Sequence, residues 1–167
     1  HLFPKPRDLR TGRARLVSTR NGVATLEDLE AVIENGMPGT SMQSFKDLGV
    51  DQLKLLAQNV LRLNREGIRS QITDLLRAEG DEIDEDEVRQ VVQECTTPGE
   101  VVSVPRIGPA ESKAIARGKD TYFELGCRHC HGDDGTGVED NPVCDDKGRL
   151  TRARDLVREP FKGGGEP

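Results

Sequence analysis

The stretch Cys127-Arg128-His129-Cys130-His131 constrains this chain more than any other feature. Two thiols three positions apart fall on the same side of a helical turn, so both sulfurs meet one edge of whatever they attach to. The imidazole of the next residue is carried along with them. C-x-x-C-H is the attachment pattern for haem c. The thiolates add across the porphyrin vinyl groups as thioethers, and the histidine becomes an axial ligand of the iron. Cys127 and Cys130 are therefore the candidate anchors and His131 the candidate proximal ligand. Two other readings compete, a redox-active dithiol and a zinc site. A thioredoxin-like dithiol follows a strand in an alternating β/α pattern, and no such pattern precedes Cys127. A zinc-binding interaction module needs four donors; with only Cys144 following, it would use Cys127, Cys130, His131 and Cys144.

The flanks fit the haem pattern. Residues 116–126 read as a short helix with Gly118, Tyr122 and Leu125 on one face, the glycine admitting another helix at close range. Gly132-Asp133-Asp134-Gly135-Thr136-Gly137 reads as a glycine-rich turn. With Ala153-Arg154-Asp155-Leu156 further on, this order resembles the first half of a class I bacterial cytochrome c domain. In that family the later loop passes the proximal side of the haem. A backbone carbonyl near a proline there accepts the Nδ1 proton of the proximal histidine, which tunes the iron. Ala153 stands in the place of that proline.

Pro6-Arg7-Asp8-Leu9 repeats Ala153-Arg154-Asp155-Leu156 near the other end of the chain, which suggests two homologous units. After the first copy, Thr25-Leu26-Glu27-Asp28 has the form of a capping box. Leu26, Leu29, Val32 and Ile33 give a helical stripe, and Gly36 is a stop. The segment Gly36-Met37-Pro38-Gly39-Thr40-Ser41-Met42 resembles the distal-ligand loop of tandem cytochromes c. The resemblance implies Met42 as the iron ligand and Met37 as the runner-up; Gln43 follows where the family often has proline. His/Met ligation fills the sixth site, raises the potential and leaves the iron to pass electrons. Ordinary packing is the other role open to both methionines.

Asp51 to about Arg65 reads as a helix with Leu53, Leu56, Val60 and Leu63 on one face. After Gly67, Ile68, Ile72, Leu75 and Leu76 continue the helical pattern. Asp84 opens another helix, with Val88, Val91, Val92 and a buried Cys95 on its inner face. The acidic run from Asp81 to Glu87 suits a solvated helix start, and Thr96 to Pro109 carries turn and linker chemistry. The expected architecture is mainly α, two partial class I cytochrome c-like units joined by a helical linker. Residues 1–66 supply a distal methionine loop and terminal helix, 67–110 the linker, and 111–167 a haem-attachment half. An internal piece of a tandem dihaem cytochrome explains this order. Met42 then serves a haem of the first unit, or the His131 haem if the two halves complement each other.

Hydrophobic residues make up 34% of the chain and aromatic residues 3%, with no tryptophan. That is a thin supply of core, and a covalent porphyrin can provide the missing apolar centre. Without the haem, the chain is therefore expected to be poorly ordered around residues 127–167. A net charge of −6 argues against nucleic-acid binding, and no apolar run is long enough to span a bilayer. Arg154 and Arg7, at matching places in the repeat, are candidates for haem propionates because the guanidinium is planar and bidentate. A Cys95–Cys144 disulfide is compatible with an oxidising compartment, and Asp133, Asp134, Asp145 and Asp146 fit no EF-hand spacing. The sequence thus points to an electron carrier with redox protein partners in the periplasm or otherwise exported, or to the electron-delivery segment of a larger oxidoreductase.

Overall fold

The computed structural model describes residues 7–11, 13–105, 108, 111–137, 143–144, 148 and 150–163. Pro6, Gly12, Asp145, Asp146 and Arg149 lie outside the described residues. The fold is mainly helical. Five helices follow one another among the described residues: α1 (Leu26–Asn35), α2 (Val50–Glu79), α3 (Glu85–Thr96), α4 (Ser112–Glu124) and α5 (Arg128–His131). One short antiparallel pair, β1 (Val143–Cys144) and β2 (Leu150–Thr151), sets Val143 against Thr151 and Cys144 against Leu150. The chain divides into two units, residues 1–103 and 104–167.

In the first unit, α1 begins at the capping box. The Asp28 amide donates to Thr25 Oγ1 at 3.0 Å, and the Thr25 amide donates to Asp28 Oδ2 at 2.9 Å. Each pairs a group that a helix start leaves without an internal partner. Leu29 and Ile33 face inward and meet Ala24, Leu53 and Ala57 in the core. Ala14, Val17, Leu26, Met42, Leu48, Val60 and Leu61 surround that cluster. The inner stripe of α2 is therefore Leu53, Ala57, Val60 and Leu61, while Leu56 is exposed, contrary to the sequence expectation. Ala57 explains the shift: it is fully covered, and its small side chain lets α1 pack on α2 where a leucine would hold it away.

The helical pattern does not stop at Gly67. α2 runs through it without a break, so residue 66, the expected end of the first partial domain, is mid-helix. Gly67 is buried because the backbone of Arg10 crosses the helix there; a Cβ would lie 2.1 Å from the Arg10 carbonyl oxygen. Gln71 Nε2 donates to that same carbonyl at 3.2 Å, and Asn64 Nδ2 to the carbonyl of Leu9 at 3.5 Å. Residues 7–11 thus form a strap held at one notch.

α2 ends where the Gly80 and Asp81 amides turn back to the carbonyls of Arg77 and Leu76, and α3 starts at Asp84, whose carboxylate takes the Asp86 and Glu87 amides. Val88 is the most deeply buried side chain of α3. Cys95 is exposed, a correction to its expected burial: the last turn buries Thr96 instead, whose hydroxyl bonds the Val92 carbonyl. The following turn is pinned to the front of the chain. The Asn21 side chain donates to Thr97 O at 3.0 Å and accepts from the Gly99 amide at 2.9 Å, and Thr19 bridges Val101.

In the second unit α4 buries no residue. Ile115, Leu125, Leu150, Val157 and Phe161 are exposed. A Cβ on Gly118 would meet nothing within 4 Å, so among the described residues no segment makes the close approach expected at that glycine. None of the described helices is long and apolar enough to cross a membrane.

Candidate haem-attachment site

α4 exits through a tight turn in which the Gly126 amide donates to Phe123 O and the Cys127 amide to Tyr122 O, each at 3.1 Å. That turn delivers the chain into α5. The Cys130 and His131 amides both return to the Cys127 carbonyl, at 3.3 and 3.0 Å. Cys127, Cys130 and His131 therefore share a single turn, with Cys127 and His131 half-buried and Cys130 exposed. All four cysteines of the chain are free thiols, Cys95 and Cys144 included.

His131 is gripped on its Nδ1 side. That nitrogen lies 2.8 Å from the carbonyl oxygen of Arg154. A carbonyl can only accept, so Nδ1 carries the proton and, in the neutral ring, Nε2 keeps its lone pair for a metal. The backbone that follows His131 is held as well. The Gly137 amide donates to His131 O at 2.8 Å, and the Tyr122 hydroxyl donates to Gly132 O at 2.5 Å. Desolvation pushes the Tyr122 pKa up, and the nearby Cys127, Asp134 and Asp133 push it the same way, so the hydroxyl stays a donor. Arg128 stacks over the Phe123 ring at 5.3 Å and faces Asp133.

The segment that carries Arg154 is fixed by two devices. The Leu156 amide donates to Gly135 O at 2.8 Å, joining it to the glycine-rich turn. Asp155 is one of the few buried polar side chains, and its Oδ1 accepts from the Val157 and Arg158 amides, both at 2.9 Å. Burial pushes the Asp155 pKa up, but those two amides and the Arg158 guanidinium outweigh it, and the net shift is downward. Asp134 is also lowered, by the hydroxyl and amide of Thr136.

The arginine chosen in the sequence for its guanidinium thus contributes its backbone carbonyl to the site. The Arg154 side chain is mostly covered, and its Nε lies 3.5 Å from Glu159. Arg7, its counterpart in the repeat, donates to the carbonyl of Arg13. Among the described residues no three His, Cys, Asp or Glu side chains converge to hold a metal ion, so Cys127, Cys130, His131 and Cys144 do not assemble the alternative zinc site.

In the first unit the methionine loop closes on itself. The Met37 amide donates to Met42 O at 3.0 Å, and Thr40 Oγ1 both donates to Met37 O at 2.7 Å and accepts from the Met42 amide at 3.1 Å. The loop packs onto the end of α1 at Gly36, where a Cβ would fall 2.5 Å from the Gln43 carbonyl carbon. Met37 and Met42 are both half-buried, and Met42 rests against the core of the unit. Thr40 as clasp and Asp155 as anchor went unnoticed in the sequence. The signal for the second was the Asp at the centre of the repeated Arg-Asp-Leu.

No protein-family model and no curated protein matches the chain. Among solved structures it is similar to a chain of the Kuenenia stuttgartiensis reducing HAO-like protein complex, with a TM-score of 0.73 and 23% identity. The match covers 98% of this chain and 64% of that one, so this chain spans less than two thirds of its neighbour's length. The likeness is one of fold.

Proposed function

We propose that the second unit holds a covalently attached haem c and that the chain transfers electrons through it. The observation that carries this reading is His131, whose Nδ1 is engaged by the Arg154 carbonyl at 2.8 Å on the same turn as two free thiols. The residues fit the group. Two thiols at i and i+3 can take the two vinyl carbons, the half-buried imidazole keeps Nε2 for the iron, and the exposed Ile115, Leu125 and Phe161 are apolar surface a porphyrin can cover. When bound, the haem supplies a one-electron couple. The chain's part is to anchor it through Cys127 and Cys130, orient it through His131 and set the basicity of that imidazole through the Arg154 carbonyl.

Met42 is the proposed sixth ligand, either of a haem belonging to the first unit or of the His131 haem, with Met37 second. Its clasped loop, with Thr40 bonded to both methionines, is a rigid mount for a thioether. Arg154 and Arg7 are proposed for the propionates; Arg154 would share its guanidinium with Glu159. A periplasmic or otherwise exported location follows from the maturation that thioether haem requires, and redox proteins are the proposed partners. The fold neighbour belongs to a reducing complex and is the longer chain, which favours a second form of the same reading: a segment delivering electrons within a larger oxidoreductase.

Expression with the cytochrome c maturation machinery, followed by a pyridine haemochrome spectrum, tests the proposal. The expected result is a thioether-type haem lost in the Cys127→Ala, Cys130→Ala double variant. Colourless protein with both thiols open to alkylation overturns it. In loaded protein, Met42→Ala should abolish the long-wavelength sulfur–iron band if Met42 is a ligand of the His131 haem, and leave it unchanged if it is not.

A further inference from the structure

We infer that Asp155 is a positioning residue for the axial histidine, acting through the peptide group that it shares with Arg154. This deepens the haem reading and rests on it. The carbonyl that meets His131 belongs to the planar peptide between Arg154 and Asp155, so whatever fixes the backbone of Asp155 aims that oxygen. The Asp155 carboxylate is the strongest fixture in reach. Its Oδ1 takes the amides of Val157 and Arg158 at 2.9 Å each, its Oδ2 takes Arg158 Nη1 at 3.3 Å, and its own carbonyl takes the Glu159 amide at 3.1 Å. The residue is 8% exposed, so these bonds compete with little water.

The other copy of the repeat shows that the turn is a local product of the aspartate. Asp8, in the first unit and exposed, captures the Arg10 amide through Oδ1 at 2.9 Å, the same two-residue step that joins Asp155 to Val157. Its carbonyl also accepts from the Thr11 amide at 3.3 Å. One motif, two unrelated surroundings and one turn imply that the side chain builds the turn. Ala153 adds the reason such a fixture is needed here. A proline before the arginine, such as Pro6 in the first copy, would stiffen the loop through its fixed φ; with Ala153 there, the carboxylate is left to hold the turn without that help.

The test compares Asp155→Ala, which removes the acceptor, with Asp155→Asn, which keeps Oδ1 for both amides. In haem-loaded full chain the midpoint potential is the readout. The hydrogen bond that Nδ1–H donates to the carbonyl gives the imidazole partial anionic character and favours ferric iron, so losing it shifts the equilibrium toward ferrous. Asp155→Ala should shift it about fivefold, the worth of one ordinary hydrogen bond, and Asp155→Asn by less than about twofold. An Asp155→Ala potential equal to wild type overturns the inference. A second readout needs no haem: nitrogen chemical shifts of His131 in the unloaded chain at alkaline pH. Wild type and Asp155→Asn should hold the Nδ1–H tautomer, and Asp155→Ala should move toward Nε2–H. Equal tautomer populations in all three overturn the inference even if Asp155→Ala loads no haem. Wild type that loads no haem fails the functional proposal instead, and the tautomer comparison still decides the role of Asp155.

Discussion

The two units of this chain spend their residues on opposite means of ordering. In residues 1–103, helices meet through side chains: Leu29, Ile33, Leu53 and Ala57 bury one another, and the polar bonds lie outside that core, at helix ends, in loops, along the helix surface and at the strap. In residues 104–167, Ile115, Leu125, Leu150, Val157 and Phe161 face outward, Phe123, Val143 and Leu156 are half-buried, and among the described residues Gly135 and Asp155 alone are fully buried. Order there comes from a mesh of hydrogen bonds around one histidine: Arg154 O on its ring, Gly137 N on its carbonyl and Tyr122 OH on the next peptide. The first unit is built like a small helical domain; the second like a mount. A mesh of such bonds yields little net stability, because each replaces a bond to water. It does determine direction, and direction is what the proposed axial ligand needs.

The comparison breaks most visibly if matched leucines respond alike. Leu53→Ala, at 7% exposure, should cost the first unit about 3 kcal/mol in urea unfolding, the usual toll of a core cavity. Leu125→Ala, at 75% exposure, should stay within about 0.5 kcal/mol in unloaded protein. A large loss at Leu125 would mean that the second unit has a side-chain core after all. The mid-helix glycines sharpen the point through the sign of the effect. Replacing a helical glycine by alanine gains about 1 kcal/mol when nothing else intervenes. Gly118→Ala, with open space around it, should show that gain in the hydrogen-exchange protection of α4. Gly67→Ala should lose about 1 kcal/mol or more, because the new methyl meets the Arg10 backbone. Stabilisation at Gly67 would show that residues 7–11 do not lie on α2.

What the sequence disclosed follows from the range over which each feature is encoded. The capping box of Thr25 and Asp28 and the single turn of Cys127 to His131 depend on neighbours within a few positions, and both were legible. The role of Gly67 was not: the helical pattern continues past it, and only a distant segment, the Arg10 backbone, shows why that position leaves no room for a side chain. Leu56 and Ala57 trade places for a similar reason, since a period cannot tell which neighbour makes room for a second helix. Thr96 to Val102 read as linker because Asn21, which holds it, is far away in sequence. At the candidate site the residue types were evident and the resemblance implied a backbone carbonyl beside Ala153 as the partner of His131 Nδ1, but which residue supplies that carbonyl was not. A guanidinium advertises itself in a sequence, and a carbonyl is carried by every residue.

The smallest expected effect concerns a device that each unit builds for itself, a carboxylate that collects backbone amides. Asp28 Oδ2 accepts from the Thr25 amide and, at 3.1 Å, from the Ser18 amide, so one oxygen caps α1 and holds the segment before it. Burial pushes its pKa up, the hydrogen bonds from Thr25 and Ser18 push it down, and the net shift is downward. The folded value therefore lies below the unfolded one, about 3.9 for an aspartate. The stability this group contributes is complete above that unfolded value and is lost as pH falls through the folded one. Asp28→Ala should cost about 1 kcal/mol at neutral pH, as for a lost helix cap. Asp28→Asn keeps an acceptor but cannot titrate, so its stability should fall less steeply between about pH 5 and 2 than that of wild type. If both proteins share one slope, other carboxylates govern the acid response of the first unit. Asp155, shifted in the same direction, then becomes the one to test in the second.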